Sequence, residues 1–354
     1  DVHKKECWNT LLFETLEKYG LDEVFNVLQL LHTNNESFAL VCHDYAHDIG
    51  LKTYILYGTD FALTEKTSYC NSGFYHGYME GLISADQNPK NILAFCLRVR
   101  DEVNSAFPNA ENQCRHGIGH GSLEYLVYEK PDLWGNPKEL LDESIRMCEE
   151  TNEGYDDRMR CSSGAYNAYR AWAKSSPHYA EFIKPEVIFD LCADTEKDYA
   201  KDACYWENAK LLIRIPNAGD AAEIFDVESE VVPNDHAAFV GRVYRSGAQN
   251  IGKTGVHENS YEHILAFCRT APVIYQNDCI HGLIEGLFFA GEQGKEEKSV
   301  VGFCSIPELT ETERTHCYMK LQSEMKNTFK DERLKEACVS ISDDFRDNEV
   351  CPLP

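Results

Sequence analysis

Histidine and glutamate recur in this chain four residues apart: His43 and His47, His76 and Glu80, His116 and His120, His120 and Glu124, His281 and Glu285. Imidazole nitrogen and carboxylate oxygen are donors that borderline metals such as zinc, iron or copper accept. Spacing of four puts both members of a pair on one face of a helix, within reach of a single cation. His43, His47, His76, Glu80, His116, His120, Glu124, His281 and Glu285 are therefore the candidate metal ligands. Without a metal, His76 or His120 flanked by Glu80 or Glu124 would make a general base oriented by a carboxylate, so these four are also the candidate catalytic residues. A plainer account competes with both. The same groups can hydrogen-bond one another and backbone carbonyls between tightly packed helices, with Gly73, Gly77, Gly117, Gly119 and Gly121 permitting the close approach.

The pairs sit inside a recurring phrase. Counted from Cys70, Cys114 and Cys279, glycine falls three residues on (Gly73, Gly117, Gly282) and a polar residue six on (His76, His120, Glu285). In the first two copies a carboxylate falls ten on (Glu80, Glu124). At about 100° per residue these positions lie within roughly 60° of one another, a polar line along a helix expected to start at the cysteine. Position six reads Asp48, His76, His120, Asn167, Lys210, Arg242 and Glu285 through the chain. Its flanks stay apolar or aromatic, as the lining of a pocket for a polar ligand requires. Tyr75, Tyr125, Tyr166 and Tyr169 are the expected wall residues.

The elements that must carry this line are marked by cysteine. The pairs Cys96 and Cys114, Cys148 and Cys161, Cys192 and Cys204, Cys268 and Cys279, Cys304 and Cys317, and Cys338 and Cys351 each bracket a short polar connection. The first member closes an apolar stretch, as in Ile-Leu-Ala-Phe-Cys96, and the second opens the next. This reads as two helices stapled across their connection, with Cys42 and Cys70 a longer version. Closing a loop of about 12 to 15 residues contributes roughly 3 kcal/mol in the chain-entropy model. Fifteen cysteines leave one over, Cys7, available for self-association or a cross-link. Between Cys204 and Cys279 the text still reads as a unit, with Ala221 to Val227 as its first helix and Asn234-Asp235-His236 opening its second. Both cysteines are missing together, as partners would be. Second helices then open near residues 42, 70, 114, 161, 204, 236, 279 and 317, at the roughly 30 to 47 residue period of two-helix repeats. Asn112, Asp202 and Asp278 are the expected caps, and Gly20, Gly58 and Gly154 the expected ends. Strand signals are scarce, Glu230-Val-Val-Pro being too brief to found a sheet.

The expected fold is all-α: tandem two-helix repeats, an α/α solenoid or closed α/α toroid, in one domain spanning residues 1–354. Residues 1–40 form an N-terminal cap and 41–330 the repeats, including a cysteine-free unit at about 217–250. Residues 331–354 form a C-terminal cap. Asn35-Glu36-Ser37 is a lone glycosylation sequon.

Composition bounds the function. A formal charge of −25, from 34 Lys and Arg against 59 Asp and Glu, argues against nucleic acid and anionic membrane surfaces as partners. No run of about 18 apolar residues spans a bilayer. So many cysteines, with no C-x-x-C pair, point to an oxidising compartment (secreted, extracellular or periplasmic) and away from zinc ribbons and iron–sulfur clusters. Asp1 without a leader fits a mature secreted chain or a trimmed one. Gly247 to Thr254 matches the nucleotide phosphate loop letter for letter, but the text before it reads as helix, not a buried strand, so no nucleotide is expected.

The Gly73-x-x-His76-Gly77 phrase resembles the inner helices of lanthionine-cyclase-like α/α toroids, which implies a central pocket lined by second helices. Those enzymes hold zinc with cysteines in Trp-Cys and Cys-His-Gly phrases; Trp-Cys is absent here, and these cysteines read as staples. Helical-repeat di-iron hydroxylases use adjacent His-Glu pairs, of which this chain has only His257-Glu258, in a loop. Neither likeness extends past architecture, and no family is assigned. The expected function is a secreted, disulfide-rich protein whose His/Glu surface binds a divalent or transition metal, as a carrier or a metal-dependent enzyme. The rivals are a non-enzymatic extracellular scaffold or assembly subunit, and a metal-free enzyme or binding protein for a small polar ligand.

Overall fold

Pro89 to Glu102 shows how helices arise here. Asn88 caps the segment by accepting from the Lys90 N–H, and Pro89 occupies the first turn, where its missing N–H costs nothing. Ile92, Phe95, Cys96 and Val99 are then buried at the spacing of one helical face. The stretch from Ala110 to Glu129 behaves differently. Every residue from Cys114 to Leu123 is buried, so this helix has neighbours on all sides.

The computed structural model describes residues 2–39, 41–107, 109–175, 185–208, 236–253, 261–292, 294–347 and 349–351, and every regular element among them is a helix. In order these are α1 (Val2–Tyr19), α2 (Leu21–Asn34), α3 (Glu36–Ala39), α4 (Cys42–Tyr57), α5 (Tyr69–Ala85), α6 (Pro89–Glu102), α7 (Ala110–Glu129), α8 (Pro137–Thr151), α9 (Tyr155–Ser175), α10 (Pro185–Ala193) and α11 (Asp198–Asn208). They continue as α12 (His236–Lys253), α13 (Tyr261–Thr270), α14 (Val273–Phe289), α15 (Glu297–Cys304), α16 (Glu311–Thr328) and α17 (Asp331–Val339), with short 3₁₀ turns between some of them. Contacts divide the chain into two compact units, Asp1–Ile183 with Asp190–Glu207, and Lys184–Phe189 with Asn208–Pro354.

In the first unit α4 packs on α5, α5 on α7 and α7 on α9. In the second, α12 packs on α14 and α14 on α16. The seven disulfides join the expected partners: Cys42–Cys70, Cys96–Cys114, Cys148–Cys161, Cys192–Cys204, Cys268–Cys279, Cys304–Cys317 and Cys338–Cys351. Cys7 is free and exposed. No described helix is long and apolar enough to cross a membrane.

Helix starts differ from the sequence reading. α7, α11 and α14 begin at Ala110, Asp198 and Val273, so Asn112, Asp202 and Asp278 lie inside the helices instead of capping them. The cysteine falls a turn or more into the helix, where its sulfur reaches the preceding one. α4 and α12 do open as expected, at Cys42 and His236. α5 opens on a turn of its own: Cys70, Asn71 and Ser72 adopt left-handed φ values of 50°, 57° and 61°, and regular helix resumes at Gly73. Gly20 and Gly58 do end helices, both at positive φ. Gly247 to Lys253 is wound into α12, where backbone N–H groups serve helical bonds and not a phosphate. The remainder of the proposed cysteine-free unit before His236, together with Lys210, Thr254 and His257-Glu258, lies outside the described residues.

Glycine sets the spacing of the α4–α5–α7–α9 row. A β-carbon on Gly77 would be driven into the His47 carbonyl oxygen, and one on Gly164 into that of His116. Gly77→Ala is expected to lower stability by about 1–3 kcal/mol, because overpacking must push the α4 and α5 backbones apart. An unchanged urea midpoint would show that the row tolerates wider spacing.

Candidate metal centre

The row brings seven of the nine sequence-derived ligands into one unit: His43 and His47 from α4, His76 and Glu80 from α5, and His116, His120 and Glu124 from α7. His47 donates through Nε2 to Glu80 Oε1 at 2.8 Å. One ligand atom each from His47, Glu80 and His120 lies within 4.8 Å of the other two. Two imidazoles and one carboxylate form a donor set for zinc, iron or copper. His43 donates through Nδ1 to the Cys70 carbonyl at 3.1 Å, an oxygen presented by the left-handed turn that opens α5. His116 Nδ1 faces Ser163 Oγ at 3.4 Å. Ser163 Oγ and Asn167 Nδ2 in turn donate to the buried Glu207 carboxylate at 2.7 and 2.8 Å.

The five rings form a cluster with His76 in the middle. Its centroid lies 5.0 Å from His43, 6.4 Å from His47, 5.0 Å from His116 and 4.6 Å from His120. Neither His76 nitrogen has a hydrogen-bond partner, nor does His120 Nε2, although all three atoms are buried. Burial, reinforced by the neighbouring imidazoles, pushes both rings well below the ordinary histidine pKa. They are thus held neutral, the form that binds metal. For His47 burial works in the same direction, but the Glu80 hydrogen bond and charge outweigh it and leave the pKa raised.

An open pocket of about 1000 Å³ reaches this cluster, with His43, His47, Glu80, His120 and Glu124 on its wall beside Tyr54, Tyr128 and Asn167. His76 and His116 do not line it. Burial and the nearby Glu80 carboxylate raise the Glu124 pKa to about 7. The native state therefore holds this proton to higher pH than the unfolded chain does. Glu124 thus contributes a downward slope of stability with pH between about 4.5 and 7, on the order of 3 kcal/mol in metal-free protein, opposed by the upward slopes that the lowered His76, His120 and His281 contribute. Glu124→Gln should flatten that slope and stabilise the chelated protein above pH 7. Denaturant midpoints against pH check this; parallel curves would refute it.

His281 and Glu285 belong to the second unit. Glu285 is held by Arg245 and by Lys320, the latter at 2.7 Å, so its oxygens are occupied by cations. Burial, with the Lys320 and Arg245 charges, lowers His281 to about 4. The expected wall tyrosines are core residues. Tyr75 is bonded to Thr67 and Ser68, Tyr166 to Thr195, Tyr169 is buried, and Tyr125 packs against the core. Tyrosine beside glycine on a fully surrounded helix faces protein, not cavity. Tyr54 and Tyr128 line the pocket instead; Tyr128 stands four residues after Glu124, a spacing that continues the polar line, whereas nothing in the spacing marks Tyr54. Glu207 was also missed, although it stands three residues after Cys204, where four other copies carry glycine (Gly73, Gly117, Gly164 and Gly282).

Fold and site together define a disulfide-cross-linked, all-helical protein with a candidate metal triad of two histidines and one glutamate. The chain matches no protein-family model, no curated protein and no solved structure.

Proposed function

We propose that this chain is a metal-dependent enzyme of an oxidising compartment, with its ion held by His47, Glu80 and His120. The observation that carries the reading is the convergence of these three donors from three adjacent helices on the wall of an open pocket. Three protein ligands with a position left open is the pattern of catalytic sites, whereas structural zinc sites are closed by four. An ion so placed supplies Lewis acidity and lowers the pKa of water, chemistry suited to hydrolysis of a small polar substrate. His47 and Glu80 must then exchange their mutual hydrogen bond for the ion. Glu124, one turn beyond His120, is placed on the pocket wall to accept or return a proton. Seven cross-links support an oxidising compartment. The successions α5–α7–α9 and α12–α14–α16, in which each helix packs on its next-but-one neighbour, support the reading of a tandem two-helix repeat, solenoid or ring.

Metal analysis after chelation, reconstitution and desalting tests the proposal. About one equivalent or more of a transition metal is expected, and less than about a tenth would reject it. The glycine-spaced contacts and the His47–Glu80 hydrogen bond favour the scaffold alternative, in which that polar line is structural. Under it, wild-type protein takes up no ion.

A further inference from the structure

The triad has a second tier beneath it. His43 precedes His47, His76 precedes Glu80, and His116 precedes His120, each by four residues. The second set therefore lies one helical turn, about 6 Å, along the same three helices. It consists of imidazoles alone. His76 is 4% exposed, and both its nitrogens are buried without a hydrogen-bond partner. More than about nine in ten buried polar groups in folded proteins are satisfied, so two orphan nitrogens on one ring ask for a missing partner.

The surroundings indicate what that partner is. The rings around His76 are other imidazoles: His43 and His116 with centroids at 5.0 Å, His120 at 4.6 Å and His47 at 6.4 Å. Two imidazoles on one tetrahedral ion, each with nitrogen about 2.0–2.1 Å from it, have ring centres about 5.2 Å apart. The separations from His76 to His43 and to His116 are close to that value, although the nitrogens of these three rings do not already converge as the triad's donors do, so the rings must turn to close on an ion. The His43 and His116 rings both have Nδ1 on an oxygen, Cys70 O at 3.1 Å and Ser163 Oγ at 3.4 Å. An oxygen on one ring nitrogen is the outer-shell arrangement that orients the other toward a metal.

We propose that His76, with His43 and His116, holds a second metal ion, so that the centre is dinuclear: one ion in a nitrogen-only tier and one in the His47–Glu80–His120 tier. Nitrogen-only ligation selects zinc, copper or a similar borderline ion and disfavours calcium and magnesium, which need oxygen. The inference rests on the triad reading for the identity of the first ion.

Cobalt(II) titration of the full-length, chelator-stripped protein separates the two sites, read by visible absorption and by metal content after desalting. Wild type is expected to retain two equivalents, His76→Leu one, and Glu80→Gln one, each variant losing a different band. If wild type retains one equivalent that His76→Leu leaves intact, the second ion is overturned and the triad stands. A single equivalent lost in His76→Leu but kept in Glu80→Gln overturns the dinuclear centre and the triad reading together, as does no retention at all. Circular dichroism checks each variant. Should His76→Leu not fold, His43→Gln takes its place, with the same stoichiometry expected.

Discussion

Replacing Cys148 and Cys161 together by serine is expected to lower the free energy of unfolding by about 3 kcal/mol. The bridge closes a loop with a sequence separation of 13, and the unfolded chain regains that loop's freedom when it is cut. It also ties α8, whose Leu140, Leu141, Ser144, Ile145 and Cys148 are buried on one face, to α9, which is buried from Cys161 to Tyr166. Domains are commonly stable by only about 5–15 kcal/mol, so one bridge is a large fraction of the total and full reduction of all seven should unfold the chain at 37 °C. Urea titrations of the double-serine variant and of dithiothreitol-treated protein measure both effects. A loss below about 1 kcal/mol would mean that side-chain packing alone holds α8 in place.

Glu80→Gln is expected to weaken metal binding by at least a hundredfold while leaving the metal-free fold nearly unchanged. Glutamine keeps the size of the side chain, and its amide oxygen can accept the His47 Nε2 hydrogen bond that Glu80 accepts at 2.8 Å. What it lacks is the negative charge that offsets a divalent ion. Changes one shell further out already cost about 10–100-fold in metal affinity, so loss of a charged ligand should cost more. Competition against a chromophoric chelator gives the affinity, and thermal unfolding gives the stability. Equal affinity in variant and parent would remove Glu80 from the ligand set. A large stability loss without any metal effect would instead make the His47–Glu80 pair structural. Binding must also displace the proton shared by that pair, so affinity should fall as the solution is acidified.

The cross-links were readable because each is local: apolar run, cysteine, short polar connection, cysteine. Their pairing needed no knowledge of which helices meet. The two-tiered polar line was equally local, since four-residue spacing places His43 above His47 and His116 above His120 whatever lies opposite. What spacing does not reveal is the occupant of the facing helix. Glu285 repeats the phrase of His76 and His120, yet Arg245 and Lys320, 40 residues before it and 35 after it, take up its charge. Tyr75 and Tyr128 illustrate the same limit. Both flank the polar line in sequence, but one turns to Thr67 and Ser68 in the core and the other to the pocket. The cysteines misled about helix starts because a disulfide marks where two helices touch, whereas caps such as the Thr310–Glu313 box mark where one begins.

No bridge encloses another, and the widest joins residues only 28 positions apart. Each thiol can therefore meet its mate soon after both have been synthesised, in chain order, without waiting for distant segments. Oxidative maturation of this chain should need little shuffling by an isomerase, and scrambled species should be scarce among its intermediates.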